Sequence, residues 1–178
     1  MRVIAGNLKG REIKSPSGHK THPMSDKVRG ALFNILGDIE GLNFLDIFAG
    51  SGALSIEAIS RGAKSAIAID VDRVAYGAIG QNIEALGLKK QIKAVRAHAS
   101  GWSARNTEQK FDVLLFDPPY NDLQINLVER LIKLHLKPGA VAVLSFPGNF
   151  KAENLANTEI VSDKNYGDAQ LVFYRKNK

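Results

Sequence analysis

The fold of this chain is decided by residues 44–52, FLDIFAGSG. The apolar first part of this stretch predicts a buried strand, and its two glycines predict a tight turn into the helix that follows, which ends near Arg61. A buried strand that passes through a glycine turn into a helix is the opening of a strand–helix–strand unit. The stretch therefore predicts an α/β protein with a parallel sheet.

The alternation of strands and helices continues downstream. Helices are predicted at residues 73–86, closed by Gly87, and at about 123–134, ended by Lys137-Pro138-Gly139, with a short helix or loop around Trp102. Strands are predicted at residues 44–48, 65–70, 91–96, 111–116, 140–145, 160–163 and 170–174. This order predicts a Rossmann-like, doubly wound sheet of seven mostly parallel strands, whose last strand is antiparallel because it closes a hairpin.

The first 24 residues are predicted to form an extension to this domain. Residues 2–5 and 11–14 flank the turn-like segment 6–10 and predict a small β-hairpin with basic residues on its exposed face. An irregular polar loop follows. The main domain is predicted to span residues 25–178 and to begin with a helix, capped by Ser25 or Asp26 and stopped by Gly37.

Composition and charge narrow the function. The 178 residues suffice for one domain with a full core, and the absence of Cys excludes a disulfide framework, a thiolate metal site and a cysteine nucleophile. No apolar run approaches the length of a membrane span, so we expect a cytoplasmic protein with no membrane partner. The net charge is +6, and residues 1–29 carry seven basic and two acidic residues, a net +5. This concentration predicts a polyanionic partner at the N-terminal end.

Acidic and glycine residues mark a cofactor site where the first two parallel strands end. Asp46 precedes the turn of Gly50 and Gly52, and Asp70 ends the second strand, where a carboxylate can bind ribose hydroxyls. The dinucleotide fingerprint would need glycine where Ser55 stands. An acid beside the turn disfavours a pyrophosphate and favours an ammonium group. S-adenosyl-L-methionine, with an ammonium, a ribose and no phosphate, fits this pattern.

A second motif, DPPY at residues 117–120, follows the apolar run of residues 111–116. Its two prolines have fixed φ angles and lack N–H groups, so they make a stiff elbow that holds Asp117, a free carbonyl and the ring of Tyr120 in one arrangement. The two oxygen acceptors suit an exocyclic NH₂ group, and the ring can stack on the base that carries it. The motif therefore predicts an amine acceptor, without choosing between guanine and adenine.

The chain resembles the bacterial 16S ribosomal RNA guanine-N2 methyltransferase family over nearly its full length. The resemblance is carried by RVIAG at residues 2–6, Gly10-Arg11, THP at 21–23, DKVR at 26–29, ALFN at 31–34, LDIFAGSG at 45–52, DPPY at 117–120 and Tyr166-Gly167. It implies a class I methyltransferase that moves a methyl group from S-adenosyl-L-methionine, without a metal, to N2 of a guanine, leaving S-adenosyl-L-homocysteine. The implied partner is 16S rRNA or the assembling 30S subunit, and we expect a monomer.

The motifs and the resemblance together assign three groups of residues. The predicted catalytic residues are Asp117, Pro118, Pro119 and Tyr120. The predicted cofactor-binding residues are Asp46, Phe48, Ala49, Gly50, Ser51, Gly52, Asp70, Val71, His98 and Ala99. The predicted RNA-binding residues are Arg2, Lys9, Arg11, Lys20, His22, Lys27 and Arg29.

Other functions remain open at this level. DPPY would serve an N6-adenine methyltransferase on DNA or RNA, or a protein-glutamine methyltransferase, although the basic N-terminus disfavours a protein substrate. Asp46 and the missing third glycine oppose a nicotinamide-dependent dehydrogenase. A non-catalytic RNA-binding assembly factor would share the fold, and the intact DPPY argues against it.

Overall fold

A computed structural model describes residues 1–18 and 23–178. Its seven strands form one sheet in the order β3-β2-β1-β4-β5-β7-β6. The strands are β1 (Asn43–Ile47), β2 (Ser65–Asp70), β3 (Ile92–Arg96), β4 (Phe111–Phe116), β5 (Leu136–Pro147), β6 (Thr158–Asn165) and β7 (Ala169–Lys176). The helices are α1 (Asp26–Leu36), α2 (Ala53–Ser60), α3 (Arg73–Leu86), α4 (Ala99–Arg105) and α5 (Ile125–His135).

The predicted Rossmann-like sheet is confirmed. Strands β1 to β5 pair in parallel, and β7 is antiparallel to both β5 and β6, between which it lies. The strand order reverses at β1: β2 and β3 lie on one side of it, and β4 and β5 lie on the other. Such a switch point opens a crevice at the carboxyl ends of the strands, which is where α/β proteins bind ligands.

One strand boundary was wrong. Lys137-Pro138-Gly139 was predicted to end a helix, which does end just before them at His135, but the following strand was predicted to start at residue 140 and β5 already begins at Leu136. The strand pairs with β4 at Phe111, then shifts register before Val113. Pro138 and Gly139 are tolerated there because the regular hydrogen bonds between β4 and β5 are interrupted at this register shift.

Helix caps set other boundaries, and the predicted cap and stop of α1 are confirmed. Ser25 caps α1 by accepting a hydrogen bond from the Val28 N–H at 3.3 Å, and Gly37 ends that helix. Asp72 caps α3 through the Ala75 N–H at 2.8 Å. Hydrophobic side chains fill both faces of the sheet, one face covered by α1, α2 and α3 and the other by α4 and α5. No helix in the described ranges is long and apolar enough to span a lipid bilayer.

The N-terminal segment, defined here as residues 1–18, packs directly against the sheet domain. Its only strand-like pairing within the described residues is the antiparallel bridge between Arg2 and Glu12, so the predicted hairpin is minimal. Val3 and Ile13 are buried in the same core cluster as α2 and α3. At Gly6 the φ angle is +83°, and a Cβ there would lie 1.7 Å from the Ser60 carbonyl oxygen, so only glycine allows this approach.

A buried carboxylate holds the N-terminal segment to α2. Glu57 is completely buried and accepts hydrogen bonds from the N–H groups of Ile4 (2.9 Å) and Ala5 (3.0 Å). Its other contacts are Arg61 Nε at 2.7 Å and Arg29 Nε at 3.8 Å. Arg29 is itself only 1% exposed. Glu57 thus satisfies two backbone donors and balances a buried guanidinium at once.

We expect Glu57→Ala to lower the free energy of unfolding by about 3–5 kcal/mol, because it leaves the N–H groups of Ile4 and Ala5 without their acceptor and takes one of two acidic neighbours from the buried Arg29. Urea unfolding followed by circular dichroism measures the change. Glu84→Ala is the matched control, since Glu84 pairs with Lys89 while both side chains are 66% exposed, and its cost should stay below about 1 kcal/mol. Equal losses in the two variants would show that the Glu57 network contributes no more than a surface ion pair.

Candidate functional site

The carboxyl ends of four adjacent parallel strands meet at one edge of the sheet. Asp46, Asp70 and Asp117 stand at or next to the ends of β1, β2 and β4. The structure brings these three predicted residues together: the charges of Asp117 and Asp70 both help to raise the pKa of Asp46. One acidic crevice therefore joins the predicted cofactor end and the predicted acceptor end.

Asp46 is the most deeply buried of the three. It is fully buried, and its Oδ2 accepts hydrogen bonds from the Ser55 hydroxyl at 2.7 Å and the Ser55 N–H at 3.2 Å. Its other oxygen, Oδ1, is buried without a partner among the described residues. Burial raises the pKa of Asp46 to about 7, against the lowering effect of the Ser55 hydrogen bonds. An unpaired buried carboxylate oxygen is suited to a cationic donor such as an ammonium group.

Ser55 contacts Asp46, but in the sequence it stands out only as the residue that breaks the dinucleotide fingerprint. It occupies the position at which a dinucleotide site would carry its third glycine, and that was the signal available. The structure shows that its hydroxyl and N–H, in the first turn of α2, orient Asp46. The serine whose presence excludes the dinucleotide fingerprint therefore also donates two hydrogen bonds to Asp46.

The turn between β1 and α2, residues 48–52, is defined here as the glycine loop. Its backbone is left-handed at Phe48 (φ 66°), Gly50 (φ 58°) and Gly52 (φ 77°). A phenylalanine in this conformation is strained by on the order of 1–3 kcal/mol, and such strain is concentrated at functional sites. A Cβ at Gly52 would lie 3.4 Å from Ile79 of α3, so glycine permits both the turn and the close packing of that helix.

Asp70 lies beside this loop and shapes it. Its Oδ2 accepts from the Gly50 N–H and its Oδ1 from the Asp72 N–H, each at 2.9 Å. Both oxygens keep further lone pairs for hydroxyl donors. Val71 follows and is 48% exposed, which is unusual for a large apolar side chain beside a strand end.

The remaining predicted cofactor residues follow β3. His98 is exposed at the N-cap position of α4, and its side chain makes no capping hydrogen bond. Ala99 is buried against the second core cluster. Both stand at the same edge of the sheet as Asp70, because β3 pairs in parallel with β2 and Arg96 is opposite Asp70.

The DPPY motif leaves β4 as a stiff loop. Asp117 is held next to β1, where its N–H approaches the Ile47 carbonyl oxygen at 3.5 Å, and burial raises its pKa to about 6. Pro118 is buried, whereas the Tyr120 ring is 41% exposed at the crevice. A carboxylate in the crevice and an aromatic face open to solvent is the arrangement expected of a planar amine site.

Ser145 of β5 is a second residue that the sequence did not single out. Its hydroxyl lies 2.9 Å from the Tyr120 hydroxyl, and its hydrogen bond to Asp117 opposes the effect of burial on that pKa. The contact arises because β4 and β5 pair in register up to Phe116 and Leu144, which sets the next two residues side by side. Ser145 is buried and so fixes both DPPY side chains; no local sequence signal marks a serine near the end of a strand.

The predicted RNA-binding residues differ in their surroundings. Lys9 and Lys27 are exposed. Arg2 and Arg11 are also exposed, and donate to the carbonyl oxygens of Gly10 (2.8 Å) and Ala85 (3.1 Å). Lys20 and His22 lie outside the described residues. The four exposed side chains remain candidates for phosphate contacts.

The prediction that Arg29 binds RNA was wrong. The Arg29 side chain is only 1% exposed and donates to Asp26 Oδ1 (2.8 Å) and to the Arg2 carbonyl oxygen (2.6 Å). A guanidinium that is buried and paired in this way cannot reach a phosphate. The basic block of the sequence therefore contains one structural arginine, which the charge count alone does not distinguish.

Two open grooves lie elsewhere. One, of about 630 Å³, is lined by residues that precede β1, β2 and β3, including Gly41 and Lys64, and the other, of about 370 Å³, by residues near the start of β5. Both are at the amino ends of the parallel strands, on the side opposite Asp46 and Asp117. Within residues 1–18 and 23–178, no group of three or more His, Asp or Glu side chains could hold a metal ion.

Comparisons with known proteins agree with this geometry. The family model described as "Conserved hypothetical protein 95" matches residues 1–175. A Bacillus subtilis protein named "Putative rRNA methyltransferase YlbH" is 38% identical over 135 residues, which cover 74% of this chain and 73% of that protein. "Ribosomal RNA small subunit methyltransferase D" of Haemophilus influenzae is 29% identical over 183 residues, covering 98% of this chain and 92% of its own length.

A solved structure from Escherichia coli extends the agreement to three dimensions. It is described as "Putative methyltransferase yhhF", superposes with a TM-score of 0.85 at 27% identity, and is matched over 99% of this chain and 98% of its own. The family match covers nearly every residue, including the glycine loop and DPPY. The chain belongs to the Conserved hypothetical protein 95 family, whose relatives include methyltransferases of small-subunit ribosomal RNA.

Proposed function

We propose that this protein transfers a methyl group from S-adenosyl-L-methionine to the exocyclic N2 of a guanine in 16S rRNA. The observation that carries the proposal is the single crevice in which Asp46, with an unpaired buried oxygen, lies close enough to Asp117 of DPPY for the two charges to interact. Family membership supports the ribosomal RNA substrate. The acceptor is 16S rRNA or the assembling 30S subunit, the protein acts in the cytoplasm as a monomer, and no metal takes part.

Five residues or segments would hold the cofactor. Asp46 Oδ1 would accept from the ammonium group, and the glycine loop would pass under the amino-acid part. Asp70 would accept from the ribose hydroxyls, with Val71 and the start of α4 at the adenine. When bound, this cofactor supplies an electrophilic methyl group on a sulfonium. The fit is supported by the one buried carboxylate oxygen without a partner among the described residues.

The acceptor end has to orient a weak nucleophile. The lone pair of guanine N2 is delocalised into the ring, so the amine must be turned and pyramidalised before it can react. Asp117 and the Pro118 carbonyl oxygen would accept its two N–H bonds, and Tyr120, fixed by Ser145, would stack on a base turned out of the RNA. Good placement of two reactants can supply about 7–11 kcal/mol of a barrier. Asp117 then receives the proton that the methylated nitrogen releases.

The substrate is tested by incubating the protein with labelled cofactor and, separately, 30S particles, naked 16S rRNA, DNA and a protein mixture, and by mapping the modified base. We expect label on N2 of guanine in ribosomal RNA. Label on N6 of adenine would replace the proposed acceptor and keep the chemistry. Binding of RNA without methyl transfer would indicate a non-catalytic assembly factor and would contradict the proposed enzyme.

Asp117→Ala should lower the rate of methyl transfer by at least about 10²-fold, because the amine loses its orienting acceptor. The affinity for S-adenosyl-L-homocysteine, measured by calorimetry, should stay within about threefold, given that Asp117 faces the acceptor. Asp122→Ala is the matched control, an exposed carboxylate in the same loop, and should keep the wild-type rate. Normal turnover in Asp117→Ala would remove this residue from the mechanism.

Cofactor affinity should rise with pH up to about 7. The pKa of Asp46 is raised from 3.8 to about 7, so below that pH the carboxyl is protonated and must lose its proton to pair with an ammonium. We expect the Kd to fall by about tenfold per pH unit between roughly pH 5 and 7. The same raised pKa means that the ligand-free fold loses stability as the pH rises through about 7. The Asp46→Asn variant should bind the cofactor more weakly, and its Kd should not change with pH. A Kd that still changes with pH in this variant would show that a group other than Asp46 titrates.

The N-terminal segment is proposed to grip RNA phosphates. Lys9→Gln should reduce the slope of log K against log salt for 16S rRNA by about 0.7–0.9, the value for one phosphate contact. Filter binding between about 50 and 200 mM salt measures the slope. Lys133→Gln makes the same charge change at an exposed lysine of α5, which covers the opposite face of the sheet from the N-terminal segment, and should leave the slope unchanged. Identical slopes for the two variants would place the RNA elsewhere.

A further inference from the structure

A buried amide connects the N-terminal segment to the glycine loop. Asn82 of α3 is 2% exposed. Its Oδ1 accepts from the Lys14 N–H, and its Nδ2 donates to the carbonyl oxygens of Lys14 and Ser51, each at 2.9 Å. Lys14 belongs to the N-terminal segment and Ser51 to the glycine loop. One side chain therefore bridges the part of the chain proposed to bind RNA and the part proposed to bind the cofactor.

The geometry leaves Asn82 little freedom. A primary amide has two N–H donors and one oxygen acceptor, and here all three functions are used by two segments that are 37 residues apart in sequence, at positions 14 and 51. Toward Lys14 the amide acts as a neighbouring strand would, pairing with both its N–H and its carbonyl oxygen. Toward Ser51, which is 6% exposed, it satisfies a buried carbonyl oxygen.

The two helices that bracket the loop are tied to the same segment. Glu57 of α2 accepts from the N–H groups of Ile4 and Ala5, and α2 also carries Ser55, which holds Asp46. The loop thus lies between a helix that the segment holds through Glu57 and a helix that it holds through Asn82. Ordering of the segment restricts the loop, and ordering of the loop restricts the segment.

We propose that Asn82 is a positioning residue that makes cofactor binding and RNA binding interdependent. A ligand that immobilises one of two connected segments leaves less freedom to be lost when the other is bound, which gives positive cooperativity without a large change of shape. The coupling is reciprocal, so each ligand tightens the other by the same factor. The coupling to RNA binding rests on the proposed function. The effect of Asn82 on the position of the glycine loop does not.

Calorimetry with S-adenosyl-L-homocysteine, with and without saturating naked 16S rRNA, tests the coupling. For the wild-type protein we expect the RNA to lower the Kd by about fivefold or more. In Asn82→Ala the Kd without RNA should rise by at least about fivefold, and the effect of RNA should shrink to less than about twofold. This loss of RNA dependence is a readout that a general loss of stability would not produce.

Ser60→Ala is the matched control. Ser60, at the far end of α2, also anchors the N-terminal segment, since its Oγ accepts from the Leu8 N–H at 3.0 Å and donates to the Ala5 carbonyl oxygen at 2.5 Å. Its hydroxyl makes no hydrogen bond to the glycine loop within the described residues, so this variant should keep the wild-type Kd and the wild-type RNA effect. Lys14→Pro removes the N–H that donates to Asn82 Oδ1 and keeps the hydrogen bond from Asn82 to Ser51. It should therefore reduce the effect of RNA on the Kd while leaving the Kd without RNA near the wild-type value, and it tests the coupling if Asn82→Ala fails to fold.

The outcomes separate this inference from the proposed function. If Asn82→Ala and Ser60→Ala bind S-adenosyl-L-homocysteine equally well, the role of Asn82 in the loop is refuted. If RNA leaves the wild-type Kd unchanged, the interdependence is refuted even where the enzyme methylates rRNA. A wild-type protein that transfers no methyl group to rRNA refutes the proposed function, and a raised Kd in Asn82→Ala without RNA would still support the positioning role.

Discussion

The burial of one carboxylate, Asp46, is the constraint on which the rest of the site depends. A buried acid without full hydrogen bonding is costly, and here Ser55 satisfies one oxygen while the other is buried without a partner among the described residues. The raised pKa of about 7 records that cost. The glycine loop, the start of α2 and the close approach of Asp117 are all arranged around this group, which an ammonium ligand would neutralise.

The parallel sheet brings the two halves of the site together. Strands β1 and β4 are neighbours although 63 residues lie between Ile47 at the end of β1 and Phe111 at the start of β4, because the strand order reverses at β1. The reversal places the glycine loop and DPPY at one edge, so a donor and an acceptor can meet there. Ser145 joins the same edge through β5 and fixes Tyr120.

The N-terminal segment is an integral part of the fold. Glu57 and Asn82 attach it to α2 and α3 through backbone hydrogen bonds, and its apolar residues Val3 and Ile13 complete the core. Charge balance explains why Arg29 is buried: it lies between Asp26 and Glu57 and also donates to the segment's backbone. The segment is thereby attached to both helices that flank the glycine loop.

The order of strands and helices, the cap of α1 and the two motifs could be predicted from the sequence alone, because turn glycines, apolar runs and prolines act through local backbone geometry. The sequence also indicated a polyanion partner from the charge of residues 1–29. The fold was needed to see that Ser55 contacts Asp46, that Ser145 contacts Tyr120, that Asn82 contacts the glycine loop and that Arg29 is buried. Those features depend on which residues of distant segments lie side by side, and on burial, and neither is written in the local pattern of the chain.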